Sequence, residues 1–159
     1  DIFEISETFM FNPGVAGVWF NPATNGQGLY FDVDAVNNIF AAAWFTFDIN
    51  PPSADELDGF GSNQQRWFAA VGTIDGSVVT LDFQVPANGI FNNPAPVDLG
   101  EVTGTASLRF FDCFSAEMTF TFDSQDDQIV DTIPLSRITP APNCVEAQLI
   151  DNRTSPSVQ

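Results

Sequence analysis

The stretch 66–85, "RWFAAVGTIDGSVVTLDFQV", reads as two strands joined at Asp75-Gly76. An Asp-Gly pair between apolar runs is a strong hairpin signal, because the tight turn needs backbone that glycine adopts without strain. In the second run Val79, Leu81, Phe83 and Val85 share one face, and Val78, Thr80, Asp82 and Gln84 share the other. The same grammar extends in both directions. "GVWF" (17–20), "LYFDVDAV" (29–36) and "IFAAAWFTFD" (39–48) precede the hairpin; "GEVTGTASLRFFD" (100–112), "SAEMTFTFD" (115–123) and "IVDTIPLSRI" (129–138) follow it. Turn residues separate all of them, and no segment sustains a helical period beyond a short turn expected near 144–150. The expectation is an all-β chain, an antiparallel meander of seven or eight strands forming a barrel or a sandwich.

The N-terminus, "DIFEISETFMF", places Phe3, Ile5, Phe9 and Phe11 on odd positions, broken only by Glu7. This is close to the alternation of a half-buried strand. Pro13-Gly14 follows and reads as a hinge. The layout is therefore an N-terminal β-strand arm (1–14), a barrel or sandwich domain (15–144) and a polar tail (145–159). The arm either folds back onto its own sheet, as neighbouring elements usually do, or adds as a strand to another subunit. In the second case Phe3, Ile5, Phe9 and Phe11 are subunit-interface residues.

Composition restricts the chemistry. The 159 residues suit one domain, with 17 Phe and three Trp to fill its core. There are 21 acidic residues against four basic ones, all Arg, for a formal charge of −17. Nucleic acid and anionic membrane surfaces are disfavoured as partners, and no apolar run is long enough for a membrane-spanning helix. Without His or Lys there is no Ser–His–Asp unit, no His metal ligand and no Schiff-base lysine. Paired-carboxylate catalysis and cation binding by oxygen ligands remain. Cys113 and Cys144 are the only cysteines; an exporting compartment would oxidise them and the cytosol would keep them reduced. The start at Asp1 rather than Met reads as a processed export product.

Three Trp-Phe or Phe-partnered dipeptides recur: Trp19-Phe20, Trp44-Phe45 and Trp67-Phe68. Neighbours on a strand point to opposite faces, so each dipeptide puts an aromatic on both sides of the sheet. The second face needs a cover: the long loops 49–65 and 86–98, another subunit, or a ligand such as a sugar stacked on Trp19, Trp44 and Trp67. "GVWFNPATNGQGLYFDV", "AAAWFTFD", "RWFAAVG", the Asp112-Cys113 pair and "IPLSRI" followed by Cys144 resemble a group of secreted bacterial β-domains. Its pattern is roughly G-x-W-[FWY]-[ND]-P, W-[FY]-T-[FY]-D, an R-W strand, D-C, and I-P-L-x-R with a late Cys. The resemblance covers about residues 17–144. It implies export and a Cys113–Cys144 bridge, and no particular activity. The acidic 49–65 loop and the N-terminal arm are departures from that pattern.

In that loop Asp48, Asp55, Glu56 and Asp58 offer oxygen ligands of the kind Ca²⁺ takes; the alternative is solvated surface charge. No other cofactor is expected, and no recognisable nucleophile motif marks an enzyme. The favoured function is a secreted structural protein, a subunit of an extracellular filament or surface matrix, with other copies of the chain and divalent cations as partners. The alternative is an extracellular module binding glycan or a small apolar ligand.

If the acidic loop holds Ca²⁺, a chelator lowers the melting temperature or dissolves assemblies, and monovalent salt at equal ionic strength does not restore them. Full restoration by plain salt would instead identify charge screening.

Overall fold

A computed structural model describes residues 9–48, 65–90, 92–94, 96–123 and 128–146. It contains eight strands: β1 (Gly17–Phe20), β2 (Gly28–Asp34), β3 (Ile39–Phe47), β4 (Gln65–Asp75), β5 (Val78–Gln84), β6 (Val102–Phe110), β7 (Ser115–Asp123) and β8 (Gln128–Arg137). Each pairs antiparallel with its sequence neighbours, and β8 returns to β1, so the sheet closes into a barrel. This decides between the two architectures that the strand pattern allowed. The Asp75-Gly76 hairpin forms as read, with Asp75 opposite Val78 and Gly76 at φ 61°.

Alternation builds the core. Leu29 and Phe31 of β2, Phe40, Ala42 and Trp44 of β3, and Val79, Leu81 and Phe83 of β5 all point inward and are buried. Leu108 and Phe110 of β6, Met118 and Phe120 of β7 and Leu135 of β8 complete the interior. An eight-stranded barrel has an interior just wide enough to be filled by side chains or to admit one small ligand. Here one end is filled by side chains and the other keeps a cavity.

At one end the connections are tight: 35–38, 76–77 and 111–114. This end is sealed. Phe9 and Val15 are buried in the core, and Phe11 packs against it. The Phe110 ring sits 5.6 Å from Phe11, 5.4 Å from Trp19 and 6.2 Å from Phe40, in tilted and edge-on contacts that suit aromatic quadrupoles. Cys113 and Cys144 form a disulfide with Cα atoms 5.8 Å apart, tying the β6–β7 turn to the chain beyond β8. Burial would raise the Asp112 carboxyl. It is outweighed by bonds from the Ser115 hydroxyl (2.6 Å) and the Phe114 and Ser115 amides (2.7 Å each), which hold Asp112 below the usual carboxylate range and fix the turn.

Arg137 is the clasp of this end. Its guanidinium donates to the carbonyls of Gly14 (2.8 Å), Ala16 (2.5 Å), Thr139 (2.9 Å) and Pro140 (3.3 Å), and lies 5.8 Å over the Trp19 ring. Burial lowers its pKa, but a guanidinium stays charged. Gly17, at φ 146°, is where the clasp passes, because a Cβ there would meet the Arg137 guanidinium and the Thr139 hydroxyl. The Trp19 indole donates to the Val15 carbonyl at 3.0 Å. The Gly-x-Trp and I-P-L-x-R elements of the sequence are thus two halves of one contact.

Of the N-terminal arm read in the sequence, the structure describes only residues 9–14. Residues 1–8 lie outside the described residues. Residues 9–12 carry no strand, and Pro13–Val15 form a 3-10 turn capped by the Asn12 side chain. Asn12 also bonds the carbonyl of Val145 at 3.0 Å. A Cβ at Gly14 would run into the backbone of Asn143 and Cys144. Pro13-Gly14 is therefore packed against the chain beyond β8 and is not a free hinge. The 144–150 helical turn is absent at 144–146, and the remainder lies outside the described residues.

Replacing Arg137 with Ala leaves four carbonyls without their donor and should cost about 2–3 kcal/mol. Arg137→Lys should recover only part of it, since one ammonium cannot span the fork. Chemical denaturation of the three proteins checks this; equal stability of all three would remove the clasp.

Candidate functional site

At the opposite end β1, β3, β5 and β7 finish and β2, β4, β6 and β8 begin, joined by connections of 21–27, 48–64, 85–101 and 124–127. Here the interior opens into a cavity of about 510 Å³. Trp44, Phe68, Val85, Phe120, Phe122 and Ile129 line its walls. The rings are packed against one another, with Trp44 5.1 Å from Phe120 and Phe68 4.8 Å from Phe122. At the rim Arg66 donates to Asp48 at 2.7 Å, a part-exposed pair of the kind worth about 0–1 kcal/mol. Thr46 and Gln27 hydrogen-bond beside it. The site offers apolar surface, aromatic faces and a few orienting polar groups, which is the make-up of a small-molecule pocket.

The outer wall is asymmetric. Outward positions of β2–β4 include Tyr30 (55% exposed), Ile39 (41%), Phe45 (47%), Trp67 (48%) and Val71 (61%). Phe45 lies opposite Trp67, and the small residues Ala43 and Ala69 are paired next to them. Tyr30 stacks edge-on to Phe45 at 5.6 Å. The outward positions of β3 (39–47) and of β4 from 67 to 73 carry no charge, whereas β2 sets exposed Asp32 opposite Ala41 and exposed Asp34 opposite Ile39. Across the barrel, outward positions of β5–β8 include Thr80, Asp82, Ser107, Arg109, Glu117 and Thr132, with Val130 an exposed apolar residue among them.

The three tryptophans part company. Trp19 and Trp44 point inward, Trp19 fully buried at the sealed end and Trp44 in the cavity wall, while Trp67 alone faces out. They cannot form one sugar-stacking platform, because strand parity places Trp67 on the opposite face from the other two. Each dipeptide does put an aromatic on both faces, with Phe68 the inward member of the third.

Of the other sequence candidates, Phe9 and Phe11 are used in their own barrel's core, and Phe3 and Ile5 lie outside the described residues. Asp48 is engaged with Arg66. Asp55, Glu56 and Asp58 lie outside the described residues, and no metal-binding cluster of three acidic or sulfur ligands occurs among those described. Two features were missed: the role of Phe68 and Phe122 in the cavity, and the patch around Tyr30 and Val71. The second had a signal, since no charge falls on the odd positions of 39–47 or 67–73.

Trp44→Ala should cost about 3–5 kcal/mol, as for a core aromatic. Trp67→Ala should cost about 0.5 kcal/mol or less, as for a surface change. Denaturation midpoints compare them; a large loss at Trp67 would mean that its face is packed.

Compared with known proteins, the chain matches no family model, no curated protein and no solved structure.

Proposed function

We propose that the chain is a secreted structural protein, a subunit of an extracellular assembly joined by aromatic interfaces and strand addition. The observation that carries this reading is the exposed apolar patch of Tyr30, Phe45, Trp67 and Val71, centred on the uncharged outer positions of β3 and β4, on a chain of formal charge −17. Copies of so acidic a protein repel one another, and they can approach most closely where no carboxylate intervenes. Contiguous exposed apolar surface of this kind marks an interaction site. The disulfide suits an oxidising environment outside the cytosol.

The patch by itself is small. Half-exposed aromatics contribute on the order of 100 Å² each, against about 800 Å² per partner in a stable interface. A second attachment point is required, and the N-terminal segment is the candidate. The cavity favours a second reading, a module that binds a neutral apolar molecule beside Trp44 and Phe122.

The experiment is particle size in native solution against protein concentration. Assembly predicts particles well above the 17.3 kDa of one chain. The double variant Phe45→Glu, Val71→Glu should reduce them toward monomer with little change in melting temperature, since both side chains face outward. A full-length monomer at high concentration would overturn the reading, and quenching of Trp44 fluorescence by an apolar probe in that monomer would favour the second.

A further inference from the structure

The barrel closes unevenly. β1 meets β8 through two residue pairs only, Trp19 with Arg137 and Phe20 with Ser136. From Gln128 to Leu135, β8 is laddered to β7 on one side, and among the described residues no strand pairs with its other side. The 21–27 connection passes this stretch as a turn, with the Thr24 amide bonded to the Asn21 carbonyl. Pro134, which has no amide hydrogen, sits within this stretch, as expected of an edge. Between Gly28 and Leu29 on one side and Asp131 and Ile133 on the other lies a slot of about 180 Å³ that reaches Trp44 and Phe120. It is an unsealed seam in an otherwise continuous wall.

We propose that this seam is the acceptor for residues 1–8 of a second copy, added as a strand along β8; the inference rests on the assembly reading above. The lengths agree. Eight residues of extended chain span about 26 Å at 3.3 Å per residue, enough to cover the seven residues from Ile129 to Leu135, which take about 23 Å. The side-chain pattern agrees. On an added strand Phe3 and Ile5 face the slot, while Glu4 and Ser6 face out beside Val130 and Thr132. Direction argues for a second copy. Phe11 is fixed at the sealed end against Phe40 and Phe110, and β8 also runs toward that end. Within one chain, the segment would have to lie parallel to β8. From another copy it is free to run antiparallel, as every other pair in this sheet does, and antiparallel pairing is the more stable.

Such a contact joins different surfaces of the two copies. The donor leaves from the sealed end and the acceptor lies toward the open end, so the contact is heterologous and repeats head to tail. Main-chain hydrogen bonds supply the missing attachment, and the slot supplies side-chain selection. The apolar patch on β3 and β4 then needs only to add a lateral contact.

The test is cysteine pairing between full-length copies. One copy carries Ser6→Cys and the other Val130→Cys or Thr132→Cys; they are mixed, allowed to assemble and oxidised. A covalent dimer that includes most of the chain is expected with either β8 variant and not with Thr80→Cys, on the far wall. Assembled particles with no β8 cross-link would overturn the seam while leaving the assembly reading intact. An intrachain bond in monomeric Ser6→Cys, Thr132→Cys protein would place the segment on its own barrel and overturn it too. Wild-type protein that never assembles would defeat both.

Discussion

The contact of Arg137 with Trp19 and the carbonyls of Gly14 and Ala16 is the constraint on which the barrel depends. An up-and-down sheet must join its last strand to its first, and β1 is only four residues long, Gly17–Phe20. Two ladder pairs are a thin closure. The guanidinium reinforces them by gathering carbonyls from both sides of the joint, and Gly17 leaves it the room. The disulfide adds a covalent tie at the same end, across a sequence separation of 31. In the loop-entropy account such a bridge is worth about 3.5–4 kcal/mol, by narrowing the unfolded ensemble.

Concentrating closure at one end has a consequence at the other. Away from Arg137 no ladder pair among the described residues joins β8 to β1, so the wall parts along Ile129–Leu135 and the interior opens around Trp44 and Phe122. The plugged end consumes Phe9 and Phe11, which leaves Phe3 and Ile5 as the apolar residues of the terminal alternation still to be placed.

Much of this was legible in sequence. The eight runs read from turns and alternation correspond to β1–β8, because period-2 burial leaves a direct trace in the order of residues. The alternation at 3–11 was readable too. Its role was not, since Phe9 and Phe11 look alike whether they fill a neighbour's groove or their own core. Pro13-Gly14 has the composition of a hinge, yet packing against Asn143 and Cys144 turns it into a joint. The Trp-Phe dipeptides announced aromatics on both faces. Which of Trp19, Trp44 and Trp67 faced out depended on register, and one residue of slip inverts a strand.

By itself, then, the sequence determined the all-β class, the strand positions, the hairpin turn at Asp75-Gly76 and the absence of His and Lys chemistry, since each follows from local spacing or from residue counts. Tertiary structure decided barrel over sandwich, because closure is a pairing between residues as distant as Trp19 and Arg137. It also decided the sealed and open ends, the exposed apolar patch on β3 and β4 and the seam beside β8. Those depend on how strands of unequal length meet around a ring, a property that no single strand records.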